Sequence, residues 1–313
     1  MKELKIVKYD LDYMRSWDEF VCGSKNGTFL FYRNYMDYHS DRFEDCSLLF
    51  YEGTKLVAVM PANIDSCILY SHRGLTFGGI ITDGGMRTPL MLALFETMKQ
   101  YLQEHGINKL IYKAIPHIYH SMPADEDLYA LFRSNAQLMR RDISSAAFLP
   151  EKMSFSKGRK WSVKKGKNSG LSVKSSLDFR TFMDIESEIL MKKYSVKPIH
   201  SAEEMELLAN KFPDNIKLFG AFREDKMLAG VIVYENRLIA HTQYIATTDE
   251  GKELFATDLI IDHLINVYYS TKKYFDFGIS TEQEGRYLNI GLVTQKEEYG
   301  ARAIVYDTYA LEM

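Results

Sequence analysis

The stretch Val173-Lys174-Ser175-Ser176-Leu177-Asp178-Phe179 closely repeats Val7-Lys8-Tyr9-Asp10-Leu11-Asp12-Tyr13 near the start of the chain. Thr82-Asp83-Gly84-Gly85 and Thr248-Asp249-Glu250-Gly251 are separated by the same number of positions. Between them, Lys55-Leu56-Val57-Ala58 corresponds to Lys226-Met227-Leu228-Ala229 at a slightly larger separation, which short insertions in turns explain. Because the period far exceeds that of solenoids or propellers, each copy is predicted to be a whole domain, residues 1–150 and 151–313.

Length and composition are those of a globular protein with two hydrophobic cores and no low-complexity segment. The first residues lack the apolar stretch of a signal peptide, and no later apolar run is long enough to span a bilayer. The three cysteines have neither the number nor the spacing of a disulfide framework or a structural zinc site. We therefore expect a cytoplasmic protein with no membrane span and no metal; the sequence leaves its oligomeric state open.

The predicted elements follow one order in both copies: a strand, two helices, an antiparallel meander, a helix and a strand. In the first copy these are 5–8, 12–21, 32–39, the strands 47–51, 55–63 and 67–72, then 89–105 and 109–113, with a further helix from about 124. In the second copy they are 171–175, 178–193, a helix from 201, the strands 217–222, 227–234 and 238–245, then 254–269, 274–277 and a final strand 303–311. A helix between the meander and the last strand implies one parallel pair, so the fold class is α/β with mixed sheets.

Several short motifs, weak singly, occur in an order that is typical of a known family. They are Asn26–Leu30 and Arg73–Gly79 in the first copy, then Gly158–Lys165, Ser169–Val173, His200-Ser201, Phe275–Gly278, Gly291-Leu292 and Lys296–Gly300 in the second. With the element order, they resemble the GNAT acyltransferase fold and, in its duplicated form, the Fem-type or FemAB-like transferases. The resemblance covers nearly the whole chain and implies two tandem GNAT-like domains related by internal duplication.

The resemblance implies that an acyl group reaches the splayed end of the strand Leu238–Ile245, where unpaired backbone amides face its carbonyl. His241, Gln243 and Ile245 are predicted to share one face of that strand by its period of two, with His241 as general base. Tyr244 is a candidate proton donor. The alternative for His241 is a histidine that only hydrogen-bonds within the sheet.

Further candidates surround the end of the strand near 274–277, at the edge where open α/β sheets present ligand groups. Asp276 is predicted to be catalytic. The predicted substrate-binding residues here are Gly278, Ser280, Arg286, Asn289 and Lys296, together with Tyr194, Lys197 and His200 before the second helix of that copy. For Lys296, a surface ion pair with Glu297 or Glu298 is the alternative.

Residues 152–174 contain eight basic residues and no acid. We predict that Arg159, Lys160 and Lys164 in this segment bind phosphates of a nucleotide, a nucleotide sugar or transfer RNA. A solvated basic loop explains the same pattern equally well. Trp161 within it is a candidate for stacking on a base or sugar, although a tryptophan next to a domain junction more often packs against the protein.

The glycine-rich turn with which simple GNAT enzymes hold the pyrophosphate of coenzyme A is absent, and the corresponding stretch, Thr247–Thr257, has three acids at its helix start. The preferred hypothesis is nevertheless an N-acyltransferase that moves an acyl group from acyl-coenzyme A to an amine of an amino-sugar or amino-acid-like cell-envelope precursor. The alternatives are an aminoacyl-tRNA-dependent aminoacyltransferase acting on a peptidoglycan precursor, and a non-catalytic binding module.

Overall fold

The structure is a computed structural model that describes residues 3–313, except for the side chains of His39 and Tyr194. It divides into two compact units. The first consists of Met1–Ile143, Thr281–Tyr287 and Val305–Met313, and the second of Ser144–Ser280 and Leu288–Ile304. Two C-terminal segments thus belong to the first unit, whereas the domains predicted from the sequence meet at a single point.

The helices of the described chain are, in order, α1 (Met14–Gly23), α2 (Arg33–Met36), α3 (Thr88–Glu104), α4 (Glu126–Arg133), α5 (Lys157–Lys167), α6 (Phe179–Tyr194), α7 (Ala202–Lys211), α8 (Asp249–Glu253), α9 (Ala256–His263) and α10 (Ile290–Glu298). Among the residues described, none of these helices is both long enough and apolar enough to cross a bilayer.

The strands are, in order, β1 (Leu4–Lys8), β2 (Glu44–Asp45), β3 (Leu48–Glu52), β4 (Lys55–Met60), β5 (Asn63–Asp65), β6 (Ile68–Tyr70), β7 (Ile81–Thr82), β8 (Lys109–Lys113), β9 (Gln137–Phe148), β10 (Ser172–Ser176), β11 (Ile216–Arg223), β12 (Lys226–Glu235), β13 (Ile239–Thr247), β14 (Tyr274–Ile279), β15 (Thr281–Glu282), β16 (Tyr287–Leu288) and β17 (Arg302–Glu312).

In the first unit, β1, β3, β4 and β7 form one antiparallel sheet. A second sheet has the order β17-β8-β6-β5-β2, in which β6 and β8 are parallel and β17 pairs antiparallel with β8. One core cluster joins residues of both sheets with the apolar side of α3, including Leu48, Met60, Phe95, Tyr112 and Leu311.

In the second unit the strand order is β10-β11-β12-β13-β14-β9, and the pair β13–β14 is parallel. Phe219, Val231, Ile260 and Phe275 lie in its main core cluster, between the sheet and α9. Each unit therefore has an antiparallel meander followed by one parallel pair, which confirms the α/β fold with mixed sheets. Two of the repeated segments also fall on equivalent strands, because Val7-Lys8 lies in β1 and Val173-Lys174 in β10, while Lys55 begins β4 and Lys226 begins β12.

Local structure differs from the sequence prediction in two places that matter for the site. The predicted helix 254–269 is present, but it begins at Ala256, because Phe255 has a left-handed backbone (φ 56°) between α8 and α9, and α9 passes into a π-helical turn at Leu264–Tyr268. The basic segment predicted as a linker or loop forms α5, whose Ser156 side chain caps the helix by accepting from the Arg159 amide. The helix predicted from 201 is α7, and Ser201 and Glu204 form a capping box at its start.

Candidate functional site

The strands β13 and β14 separate in the second unit. They pair only from Ile239 to His241 on β13, opposite Tyr274 to Asp276 on β14. From Thr242 to Thr247, β13 keeps β12 on one edge, and no strand of the described chain pairs with its other edge. Free backbone groups therefore face the gap, and such groups need partners when they are removed from water.

A β-bulge at Gln243 lies where the strands part. Val233 and Ile232 of β12 lie opposite Thr242 and Tyr244, so Gln243 is an extra residue on β13. The predicted alternation of His241, Gln243 and Ile245 on one face is therefore wrong, because the bulge interrupts the period of two. His241 is buried, Gln243 is half-buried and Ile245 is exposed.

A cavity of about 330 Å³ opens beside this gap, entirely within the second unit. Its walls come from the ends of β13 and β14 and from α6, α8, α9 and α10. The lining residues are Glu186, Ile189, Leu190, Lys193, Ile245, Thr247, Lys252, Thr257, Ile261, Phe277, Leu292, Gln295, Lys296 and Tyr299. The cavity is mostly apolar with a few ionisable groups, which is typical of small-molecule sites.

Glu186 is a residue of this cavity that the sequence analysis missed. Its side chain is on α6, only 9 % of the residue is exposed, and it has no hydrogen-bond or ion-pair partner within residues 3–313. Burial raises the pKa of Glu186 to about 7. The signal in the sequence was an acid at helical spacing among Phe182, Met183, Ile189 and Leu190, where a solvent-facing acid is not expected.

Lys296 is a cationic residue on another wall of the same cavity. Its Nζ donates to the carbonyl oxygens of Gly278 (2.8 Å) and Ile279 (2.7 Å), so it holds the last two residues of β14. Burial lowers the pKa of Lys296 to about 8, while Asp276 acts in the opposite direction. The alternative of a surface ion pair with Glu297 or Glu298 is wrong, because the Lys296 side chain is buried and Glu298 pairs with Arg159.

His241 and Asp276 are paired, as their register positions require. His241 Nδ1 lies 2.9 Å from Asp276 Oδ2, while Asp276 Oδ1 accepts from Ser144 Oγ (2.6 Å) and from the Gly278 amide (3.1 Å). Gly278 has φ +75°, and a Cβ there would lie 3.3 Å from the His241 ring. Asp276 is fully buried, and neither His241 nor Asp276 is among the residues that line the cavity described above.

Tyr244 and His200 form a second pair. The Tyr244 hydroxyl lies 2.6 Å from His200 Nδ1. Burial raises the pKa of Tyr244 to about 12, and the negative charge of Glu186 contributes in the same direction. The structure thus brings together two pairs of predicted residues, His241 with Asp276 and Tyr244 with His200. Glu186 is close enough to Tyr244 to act on it electrostatically.

The remaining predicted residues have more varied positions. Ser280 is buried, and its hydroxyl has no hydrogen-bond partner in the described chain. Asn289 caps α10 by accepting from the Leu292 amide (3.0 Å), and Lys197 is exposed. Arg286 belongs to the first unit, where it lines a different cavity near Arg140 and Arg141. The Tyr194 side chain lies outside the described part of the structure.

The basic residues of α5 divide into two kinds. Arg159 pairs with Asp258 and Glu298 (both 2.9 Å) and lies over the Tyr299 ring, so these contacts already use its guanidinium. Lys160 and Lys164 are exposed and have no ion-pair partner in the described chain. Trp161 is 55 % exposed and meets the edge of Phe255.

The start of α8 is acidic. Thr248 caps it, and Asp249 and Glu250 follow in the first turn. Ion pairs with Lys252 and Lys192 lower the pKa of Asp249 to about 2, so this carboxylate is charged at neutral pH. A helix start of this kind does not attract a pyrophosphate. Within the described residues, no group of three or more His, Cys, Asp or Glu side chains could hold a metal ion.

Solved structures share this fold. The crystal structure of FemX matches with a TM-score of 0.69 and 10 % identity, covering 99 % of this chain and 97 % of that one. L-PGS from Bacillus licheniformis matches with a TM-score of 0.62 and 9 % identity over 96 % and 91 % of the chains. A tandem GNAT protein from the clavulanic acid biosynthesis pathway matches at 0.50, with 10 % identity over 99 % and 98 %.

No protein-family model and no curated protein matches the sequence. At such low identities the structural matches show the fold alone. The chain has a Fem-type, tandem GNAT-like fold, as its resemblance to that family predicted.

Proposed function

We propose that the protein is an N-acyltransferase whose second unit receives an activated acyl group in the cavity beside β13 and passes it to an amine. The acceptor class that we propose is an amino sugar or amino-acid-like group on a cell-envelope precursor. The separation of β13 and β14 beside a cavity with ionisable walls is the observation that carries this proposal.

Acyl transfer needs donors aimed at the developing oxyanion and a place where both reactants are held in line. The unpaired edge of β13 supplies backbone N–H groups beside the cavity, and the bulge at Gln243 changes the direction of those groups. The apolar residues Ile189, Ile261 and Leu292 suit a slender acyl arm, whereas Lys193 and Lys252 provide positive charge on the wall. Asp276 orients the His241 ring at the point where the strands part.

We propose acyl-coenzyme A as the donor, because the cavity lies between the ends of a parallel strand pair and is lined by apolar side chains. Because the start of α8 is acidic, the pyrophosphate of coenzyme A would have to contact cations such as Lys193 instead of that helix terminus.

A second candidate is transfer from aminoacyl-tRNA. Two observations favour it: the acids on α8, and the exposed lysines Lys160 and Lys164 beside Trp161 on α5. Lysines next to an exposed aromatic ring suit a nucleic-acid backbone.

The test measures release of free thiol from a panel of coenzyme A thioesters, and loss of the aminoacyl ester from charged tRNA, each with a panel of amino sugars and amino acids. We expect amine-dependent thiol release. Ester loss without thiol release would establish the second candidate. The absence of both reactions would contradict acyl transfer and favour a binding module.

A further inference from the structure

Resting on the proposed acyl transfer, we infer that Glu186, and not His241, takes the proton from the attacking amine. Glu186 would then be a catalytic residue that faces the cavity from α6, a helix that carries none of the sequence-predicted catalytic residues.

The surroundings of Glu186 are those expected of a side chain that binds a ligand. A carboxylate removed from water without a partner is costly, so buried carboxylates are normally paired. Glu186 makes no ion pair within residues 3–313 although only 9 % of the residue is exposed, and the Thr257 hydroxyl on the same cavity is buried without a hydrogen-bond partner. Two unpaired polar groups on the walls of one cavity point to a ligand that hydrogen-bonds to both. An amine, which donates through N–H, fits an acceptor carboxylate.

The other ionisable groups nearby are already engaged. His241 is held by Asp276, lies against Gly278 and is not among the residues that line the cavity. The Tyr244 hydroxyl is hydrogen-bonded to His200, and its raised pKa keeps it protonated at neutral pH. Lys296 holds two carbonyl groups, and its third N–H remains for an oxyanion or for the departing sulfur.

The step is balanced with these groups alone. The amine nitrogen attacks the thioester carbonyl carbon, the C–N bond forms and the C–S bond breaks with its electron pair going to sulfur. The amine proton passes to Glu186, which returns it to the departing thiolate. A base with a pKa near the working pH is the most effective, and burial raises the pKa of Glu186 to about 7. The charged or titratable groups that line the same cavity are Lys193, Lys252, Lys296 and Tyr299, and Tyr244, on which Glu186 acts, is also near His200 and Glu204.

The experiment compares the pH dependence of thiol release by the full-length protein with that of Glu186→Gln, using the most active thioester and amine pair. We expect kcat/KM of the variant to fall about 100-fold or more, since general-base catalysis contributes that much. We also expect the limb of the pH profile with a midpoint near 7 to disappear, while KM for the thioester stays nearly unchanged. Asp184→Asn removes a charge from an exposed position of the same helix and should keep the wild-type rate and profile.

Two outcomes would overturn the inference, and they are distinguishable. An active wild type with an equally active Glu186→Gln variant and the same acidic limb would remove Glu186 from the chemistry and leave acyl transfer intact. A wild type that consumes neither thioester nor aminoacyl ester with any amine would refute the transferase itself, and the role of Glu186 with it. Circular dichroism spectra of both variants establish that a lost rate is not lost folding.

Discussion

At the scale of single residues, the two acids of the second unit are in opposite situations. Asp276 is fully buried and accepts hydrogen bonds from Ser144, Gly278 and His241. Glu186 is almost as buried and accepts none within the described chain. The first acid therefore stabilises the fold, whereas the second destabilises it when ionised, which is a common property of functional groups.

Glu186→Gln should stabilise the protein above neutral pH. The folded-state pKa is raised from 4.5 to about 7, so the native state binds the proton more tightly than the unfolded chain. Wild-type stability should therefore fall as pH rises from about 4.5 through 7, and the variant, which has no proton to lose, should not show this fall. We expect a difference on the order of 2 kcal/mol at pH 8 and little at pH 4, measured by urea unfolding. A difference in unfolding free energy that stays constant across pH would contradict the conclusion that the Glu186 carboxylate lacks a compensating partner.

Asp276→Ala should destabilise the protein far more than Ser144→Ala. The first change leaves three buried donors without an acceptor, at about 1–3 kcal/mol each, whereas the second removes a single hydrogen bond worth about 1 kcal/mol. Urea unfolding of both variants at neutral pH measures the two costs. Equal losses would mean that the Asp276 carboxylate does not organise the end of β14.

The sequence predicted part of this site for a physical reason. His241, Asp276 and Gly278 are brought together because β13 and β14 are adjacent parallel strands in whose register His241 lies opposite Asp276, and that adjacency could be inferred from the element order. Glu186 was missed because an acid on a helix is normally solvated, and its place on the apolar side of α6, which packs over β13, was the signal that went unused. The partners of Arg159 were equally hidden, since Asp258 and Glu298 are distant in sequence.

At the scale of elements, the bulge in β13 and the break between α8 and α9 shape the cavity. Neither has a local sequence signature. A bulge depends on register with the neighbouring strand, and the left-handed residue that breaks the helix is Phe255, a residue type for which that backbone is unfavourable. Strict alternation, which continues through Gln243, therefore gave the wrong prediction for β13, whereas the left-handed Phe255 only moved the start of the predicted helix to Ala256.

Charge reversal on α5 should separate the two proposed donors. We expect Lys157→Glu, Lys160→Glu and Lys164→Glu, combined in one variant, to leave thioester-dependent transfer within about twofold of wild type, since screening weakens the effect of exposed charges beyond about 10 Å. Steady-state thiol release measures this. A triple reversal of the exposed lysines Lys5, Lys8 and Lys211 is the control for net charge. A selective loss of transfer in the α5 variant would show that α5 holds the donor.

At the scale of the whole molecule, the duplicated order of elements (strand, helices, meander, helix and strand) was sufficient to predict a tandem GNAT-like fold. The return of the last strand to the first unit was not predictable, because antiparallel pairing between β8 and β17 joins segments from opposite ends of the chain. Long-range pairing of this kind leaves no local pattern.

Deleting residues 305–313 should therefore destabilise the first unit although most of its residues remain. The deletion exposes the edge of β8 from Lys109 to Lys113 and removes Leu311 from the core, at a cost of about 3 kcal/mol or more. We expect a lower melting temperature, or aggregation through the free edge, in thermal unfolding. An unchanged transition would contradict the observed division of the chain into units.

The measurement that tests the acyl-transfer proposal most directly is amine-dependent thiol release by the wild type and by Thr257→Trp, whose side chain would fill the cavity. We expect the wild type to release thiol from a coenzyme A thioester only when the amine is present, and the folded variant to release none above the uncatalysed rate. Equal release by both proteins would contradict the placement of the acyl group beside β13.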